Sequence, residues 1–335
     1  MKAWHKKILL LAMLALYAAL SAQHAFAKDA FGLDEFKSPV EALTKPQKPY
    51  RTRFGNQISV YGITNPTMAA SPIKAPLRFL IQGGLHGNEL LGSEFVAWLA
   101  TRFAKGESLL NTLNSGNIAI DFLPYANPDG TIQYTRSNGN KINLNRNFGV
   151  LWGLTRENPG SEAFSESESR AIRDLILKRD YTGAVDVHGY VNWVVLPTSP
   201  DDAVKGLPKV SPEKLKAYTK WNNAIRKETK EKLPGYEVKT AGSLGDGGAF
   251  EDFAWWGANV PATCLELFSN ERYVARSLAA QIVDLITPKI FAGHENAASS
   301  DMFLVYESYL HTVFLEAIKI KTGQDPAQQV AAKTP

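Results

Sequence analysis

Apolar residues along this chain fall into two alternating rhythms. Short runs at 57–63 (QISVYGI), 77–84 (LRFLIQGG), 118–123 (IAIDFL), 183–187, 191–196 and 260–268 have the length and composition of strands. Between them, Leu90, Leu91, Phe95, Val96, Leu99 and Phe103 repeat close to helical spacing and predict a helix over 89–104. Further helices are expected at 212–231, 271–286 and 302–321. Ser165 with Glu168 fits a capping box opening a helix over 166–179. Three prolines mark 64–76 as loop, and Asn127-Pro128-Asp129-Gly130 predicts a tight turn. Residues 28–54 read as a leader segment, polar and loose over 28–50, and 322–335 as a disordered tail. Strands alternating with helices predict a single α/β domain over 55–321. Its sheet is expected to be mixed, mostly parallel and twisted, with helices on both faces.

The first 27 residues change this picture. Lys2, Lys6 and Lys7 precede a 13-residue apolar run at 8–20, and Ala25-Phe26-Ala27 is a small-x-small cleavage site. The run is short for a membrane span, which needs about 20 residues. Residues 1–27 are therefore expected to be a cleaved signal peptide, and the protein exported to a periplasm or the extracellular space. Losing the three lysines would take the net charge from +4 to +1. That balance gives no reason to expect nucleic acid as a partner, and stable membrane insertion is not expected. The chain is expected to act as a monomer. One cysteine, Cys264, excludes an internal disulfide framework and a Cys-rich zinc site. It lies in an apolar run and reads as an inert buried thiol.

Chemistry concentrates in four places. His86 and Glu89 stand three apart where a buried strand gives way to a helix, among glycines that would let the backbone pass close to an ion. Both are good zinc ligands, but alone they also fit a turn histidine and an acidic first helical turn. A third ligand would have to come from elsewhere, and His188 ends the 183–187 strand. Arg136, Asn145 and Arg146 lie in a polar loop, suited to a carboxylate and an oxyanion or simply to solvent. Glu266 interrupts an apolar strand, where a carboxylate is costly unless paired or used as a base.

Taken together, HGNE at 86–89, TRS with NRNF at 135–148, DVH at 186–188 and LEL at 265–267 resemble the zinc metallocarboxypeptidases of the carboxypeptidase A/B type. The likeness runs from about 55 to 290. It implies one zinc ion per chain held by His86, Glu89 and His188. It also implies Arg136 on the scissile carbonyl, Asn145 and Arg146 on the terminal carboxylate of a peptide, and Glu266 as general base.

Three positions depart from the family pattern. Asn143 stands where an Asp often orients the first histidine. The digestive members' mobile Tyr would fall near Leu244, yet the stretch GSLGDGGAF at 242–250 has no Tyr. Asn88 replaces an Arg, and the HGNE form looks more like bacterial members acting on cell-wall peptides. Counting 15 residues back from Glu266 places Glu251, with Asp252 beside it, at the base of the pocket for the last side chain. An acid there implies a basic last residue such as Lys, Arg or meso-diaminopimelate, unless this segment is a helix with Glu251 in solvent. The implied activity is removal of a peptide's last residue, with the γ-D-glutamyl–diaminopimelate bond of peptidoglycan stems as the candidate target. A zinc amidohydrolase acting on N-acyl amino acids, and a non-catalytic wall-peptide-binding protein, are the competing readings.

Overall fold

The computed structural model describes residues 33–43, 47–67, 76–189, 191–202, 205–267 and 297–323. The expected signal peptide, the helix at 271–286 and nearly all of the tail lie outside the described residues.

Among the described residues eight strands form one sheet: β1 (Lys37–Pro39), β2 (Ser59–Thr64), β3 (Leu77–Gly83), β4 (Ile118–Leu123), β5 (Tyr181–Gly189), β6 (Trp193–Leu196), β7 (Glu237–Thr240) and β8 (Ala262–Leu267). Their order across the sheet is β1-β2-β4-β3-β5-β8-β6-β7. The central strands β4, β3, β5 and β8 run parallel, as do β6 and β7. β1–β2, β2–β4 and β6–β8 are antiparallel. The sheet is thus mixed and mostly parallel, as the alternation of elements predicts.

The principal helices are α1 (Leu90–Ala104), α2 (Pro128–Gln133), α3 (Ser167–Lys178), α4 (Pro212–Lys232) and α5 (Ala297–Thr322). The pleat divides the core between the two faces. Phe79, Ile81, Val185 and Val187 pack with Phe95 of α1, Trp221 of α4 and Tyr309 of α5. Leu80 and Ala184 face the other way, onto Ile172 and Ile176 of α3 and Phe250 and Phe253. These last two lie on a helical turn, Phe250–Asp252, that runs on into a π-turn, Phe253–Gly257. Cover on both faces explains why the central strands read as continuous apolar runs.

Local differences from expectation each have a cause. From residue 33 the leader is structured: a 3-10 turn, Asp34–Phe36, leads into β1, whose Lys37 pairs with Tyr61. β1 and β7 are short, half-buried edge strands, so neither carries an apolar run. Asn127-Pro128-Asp129-Gly130 opens α2 instead of turning the chain. The Asn127 side chain accepts the Gly130 N–H and Pro128 takes the first helical position, because caps and turns use the same residues. The capping box is absent. Ser165 donates its hydroxyl to Glu166, which occupies the N-cap position of α3, and Glu168 is taken by Asn138. The capping acceptor comes from elsewhere, since Asn147 Oδ1 receives the Glu166 N–H and the Ser169 hydroxyl.

Candidate functional site

The carboxyl ends of β3 and β5 lie side by side, where sites form in open α/β sheets. The chain leaves β3 through Gly84, at φ +69°. At Gly87 a Cβ atom would fall 2.0 Å from the Gly130 carbonyl carbon. Glycine there lets the His86 loop press on α2, which is the packing reason for a residue expected to make room at an ion. Glu89 occupies the N-cap position of α1. His188 is near the end of β5.

These three side chains converge and are buried. His86 Nδ1 lies 2.9 Å from Glu89 Oε1, His188 Nδ1 lies 2.8 Å from Glu89 Oε2, and the two Nδ1 atoms are 3.0 Å apart. Each ring is turned by its far nitrogen. His86 Nε2 donates to Asn143 Oδ1 at 3.0 Å, and His188 Nε2 to Asp186 Oδ2 at 2.7 Å. With both Nε2 atoms donating, both Nδ1 atoms face the shared carboxylate. Burial pushes His86 down despite Glu89. Burial opposes a charge on His188 too, but Asp186 and Glu89 outweigh it and push that imidazole well up. Burial also works against an ionised Glu89, and His86 and His188 overcome it and hold the carboxyl low. The corner is built to hold a positive charge. Two imidazoles and a carboxylate, each braced from behind, are a donor set that fits zinc.

Glu266 stands beside His188 in parallel register on β8. Its Oε2 is buried with no hydrogen-bond partner among the described residues. Burial, opposed by His188 and reinforced by Glu89, pushes its carboxyl up to about 8.

The loop side carries the arginines. Arg136 Nη1 donates to Glu89 Oε1 at 3.1 Å and to His86 Nδ1 at 2.9 Å, and its Nε to Glu157 Oε2 at 3.2 Å. Arg146 Nη2 meets Glu157 Oε1 at 2.8 Å and Asp246 Oδ1 at 2.6 Å. Arg146 Nη1 donates to the Asn145 carbonyl at 2.7 Å. Asn145 Oδ1 accepts the Phe250 N–H at 2.8 Å, which leaves its NH2 as the group that can reach a ligand. Asn143 does the orienting expected of an Asp with a neutral amide. Its Nδ2 donates to Glu157, so a carboxylate stands one hydrogen bond further out. Burial works against that charge, but the Arg136 hydrogen bond and the two guanidiniums hold Glu157 down at about 2.

Glu251 is 2% exposed, which removes the solvent-facing alternative. Burial, with Asp252 and Asp186 adding to it, pushes Glu251 well up, and its Oε2 has no partner among the described residues. Asp252 is committed to Thr198, accepting its N–H at 2.6 Å and its hydroxyl at 2.8 Å.

A family model described as zinc carboxypeptidase matches residues 33–288. The chain belongs to the zinc carboxypeptidase family. This carboxypeptidase shares its fold with solved structures of low identity. Carboxypeptidase A from Helicoverpa armigera is 19% identical, with 89% of this chain and 69% of that one covered and a TM-score of 0.53. A metallo-carboxypeptidase from Burkholderia cenocepacia is 17% identical, with 90% and 70% covered and a TM-score of 0.56. One from Pseudomonas aeruginosa, in complex with (2-guanidinoethylmercapto)succinic acid, is 14% identical, with 87% and 69% covered and a TM-score of 0.52. No curated protein matches the chain in sequence. The protein is a metallocarboxypeptidase-type hydrolase of a zinc-dependent family. Among the described residues no helix is long and apolar enough to cross a membrane.

Of the residues singled out in the sequence of this carboxypeptidase, His86, Glu89, His188 and Arg136 meet directly, and Glu266 adjoins His188. Arg146 joins them through Glu157, and Phe250 links Asn145 to the turn bearing Glu251. Sequence reasoning missed Glu157 and Asp246. Asp246 left a trace, as the one charged residue between Gly242 and Phe250. Glu157 left none.

Proposed function

We propose that this carboxypeptidase is exported and removes the last residue of peptides, with peptidoglycan stems cut at the γ-D-glutamyl–diaminopimelate bond as its substrate. The reading is carried by one arrangement: the two Nδ1 atoms 3.0 Å apart on Glu89, with the unpartnered Oε2 of Glu266 on the neighbouring strand. The signal-like residues 1–27 and the HGNE form support export and a wall substrate.

His86, Glu89 and His188 would hold one zinc ion per chain. Bound there, zinc supplies Lewis-acid chemistry, polarising a carbonyl and lowering the pKa of water towards about 7. Glu266 takes the proton of the attacking water and returns it to the leaving amine. Arg136 donates to the carbonyl oxygen as charge develops on it. The Asn145 amide and Arg146 hold the terminal carboxylate, so only the last bond reaches Glu266. Glu251 closes the side-chain pocket with a buried oxygen that an ammonium group would satisfy.

Mass spectrometry of wall stem peptides mixed with peptides ending in Lys, Arg, Phe or Glu tests the reading. Loss of one residue is expected, abolished by a chelator. Glu266→Gln should retain zinc and lose about a thousandfold in kcat. Zinc bound with no peptide cut would favour the binding protein, and turnover of N-acyl amino acids alone the amidohydrolase. Glu251→Ala should erase the preference for basic over apolar last residues. An unchanged preference removes Glu251 from the pocket.

A further inference from the structure

Arg146, the residue assigned to the substrate's carboxylate, already carries two carboxylates of its own chain. Nη2 donates to Glu157 Oε1 and to Asp246 Oδ1. Nη1 is engaged by the Asn145 carbonyl, and Nε is buried with no partner among the described residues. A guanidinium grips a carboxylate through neighbouring N–H groups, either Nε with Nη2 or Nη1 with Nη2. Both pairs need Nη2. A two-pronged grip on a substrate carboxylate therefore requires one internal carboxylate to leave.

Glu157 is the one placed to leave. Its other oxygen meets Arg136 Nε at 3.2 Å and the Asn143 amide, so one carboxylate bridges both arginines of the site. Its side chain is 39% exposed, against 26% for Asp246. The backbone beside it is tied down. Asn143 N–H donates to the Asn158 carbonyl at 3.0 Å, and Asn147 and Trp152 donate to the Pro159 carbonyl. Exchange needs only the side chain to turn outward. Among the described residues Glu157 is the one carboxylate shared by both guanidiniums, so turning it outward frees one N–H contact on each for the incoming anion.

We propose that Glu157 occupies the terminal-carboxylate site and sets its specificity, a substrate entering by exchanging its own carboxylate for that of Glu157. A peptide also anchored elsewhere in the cleft meets this requirement, whereas a small free carboxylate does not. The inference rests on Arg146 being the carboxylate holder.

The test is titration of the purified, zinc-loaded protein with N-acetyl-L-lysine and with its carboxamide, followed by nuclear magnetic resonance, zinc content being checked in every variant. Glu157→Gln should bind the acid about tenfold more tightly than the wild type does, with the amide unchanged and the gain shrinking as salt is raised. Asp246→Asn should give a smaller gain. Equal affinity of wild type and Glu157→Gln for the acid, or a larger gain from Asp246→Asn, overturns the role of Glu157 and leaves Arg146 in place. If Arg146→Ala distinguishes acid from amide as the wild type does, Arg146 is not the carboxylate holder and both readings fall.

Discussion

His86 and His188 meet on one carboxylate but are held in opposite ways. His188 belongs to a strand whose nine residues are all buried, and its brace, Asp186, lies two positions back on the same face. His86 sits on a loop, and its brace, Asn143, is 57 residues further along. Asn143 is tied in turn to Glu157, and Glu157 to two arginines. One half of the site is set by the pleat of one strand, with a full negative charge in contact. The other is set by side chains of the 136–157 region that share their charges. The His188 half is thus built into the sheet, and the His86 half from side-chain contacts between distant parts of the chain.

Titration should sharpen this contrast most. The arginine loop is pinned to the start of α3, where Asn138 and Asn140 donate to Glu166 at 2.7 and 2.8 Å and Asn138 also reaches Glu168. Burial, only partly offset by hydrogen bonds, pushes Glu168 from 4.5 up to about 7. A carboxyl raised on folding keeps its proton in the folded state while the unfolded chain has already lost it. Its contribution to stability is full below 4.5, falls as pH rises, and is gone above about 7. The span is on the order of 3 kcal/mol. Asp252, also pushed to about 7 by burial, adds slope of its own, so the reading is a difference between proteins. Denaturant unfolding at pH 5 and pH 8 should show Glu168→Gln losing less stability than the wild type over that interval. Equal losses would mean that the loop side does not titrate in this way.

The same division governs what could be read from the sequence. The strands β5 and β8 were legible, because apolar runs mark central strands, and Glu266 stood out as a charged residue inside one, whereas His188 alone read as an ordinary strand-end histidine. His86 and Glu89, three apart at a strand-to-helix junction, also fit a turn histidine and an acidic first helical turn, and only the order of all four motifs made them candidate ligands. Edge strands β1 and β7 were not legible, since half-buried strands carry no apolar run. Ser165 and Glu168 misled as a capping box, because the acceptor that replaces it, Asn147, lies 19 residues from the Glu166 it caps. Glu157 was invisible for the same reason. Its role exists only where Arg136, Asn143 and Arg146 are brought together, and nothing in their spacing points to position 157. Local chemistry marks candidate ligands, whereas the partners that balance their charge come from tertiary contacts.

Zinc affinity offers a direct way to break the comparison. Removing the brace of a metal-binding histidine typically costs about 10- to 100-fold in affinity. Asp186→Ala should fall at the upper end, about 100-fold. It takes away a buried charge in contact with His188 and leaves Nε2–H unpaired in the sheet. Asn143→Ala should cost less than about tenfold. It removes a neutral acceptor that His86 shares with the Asn145 N–H, while Glu157 keeps its contacts with both arginines. Competition against a chelator of known affinity, run on both variants at one pH, measures the two losses. Equal losses would mean that the loop network holds His86 as firmly as the strand holds His188. A larger loss from Asn143→Ala would reverse the assignment, making the loop side the one on which zinc retention depends.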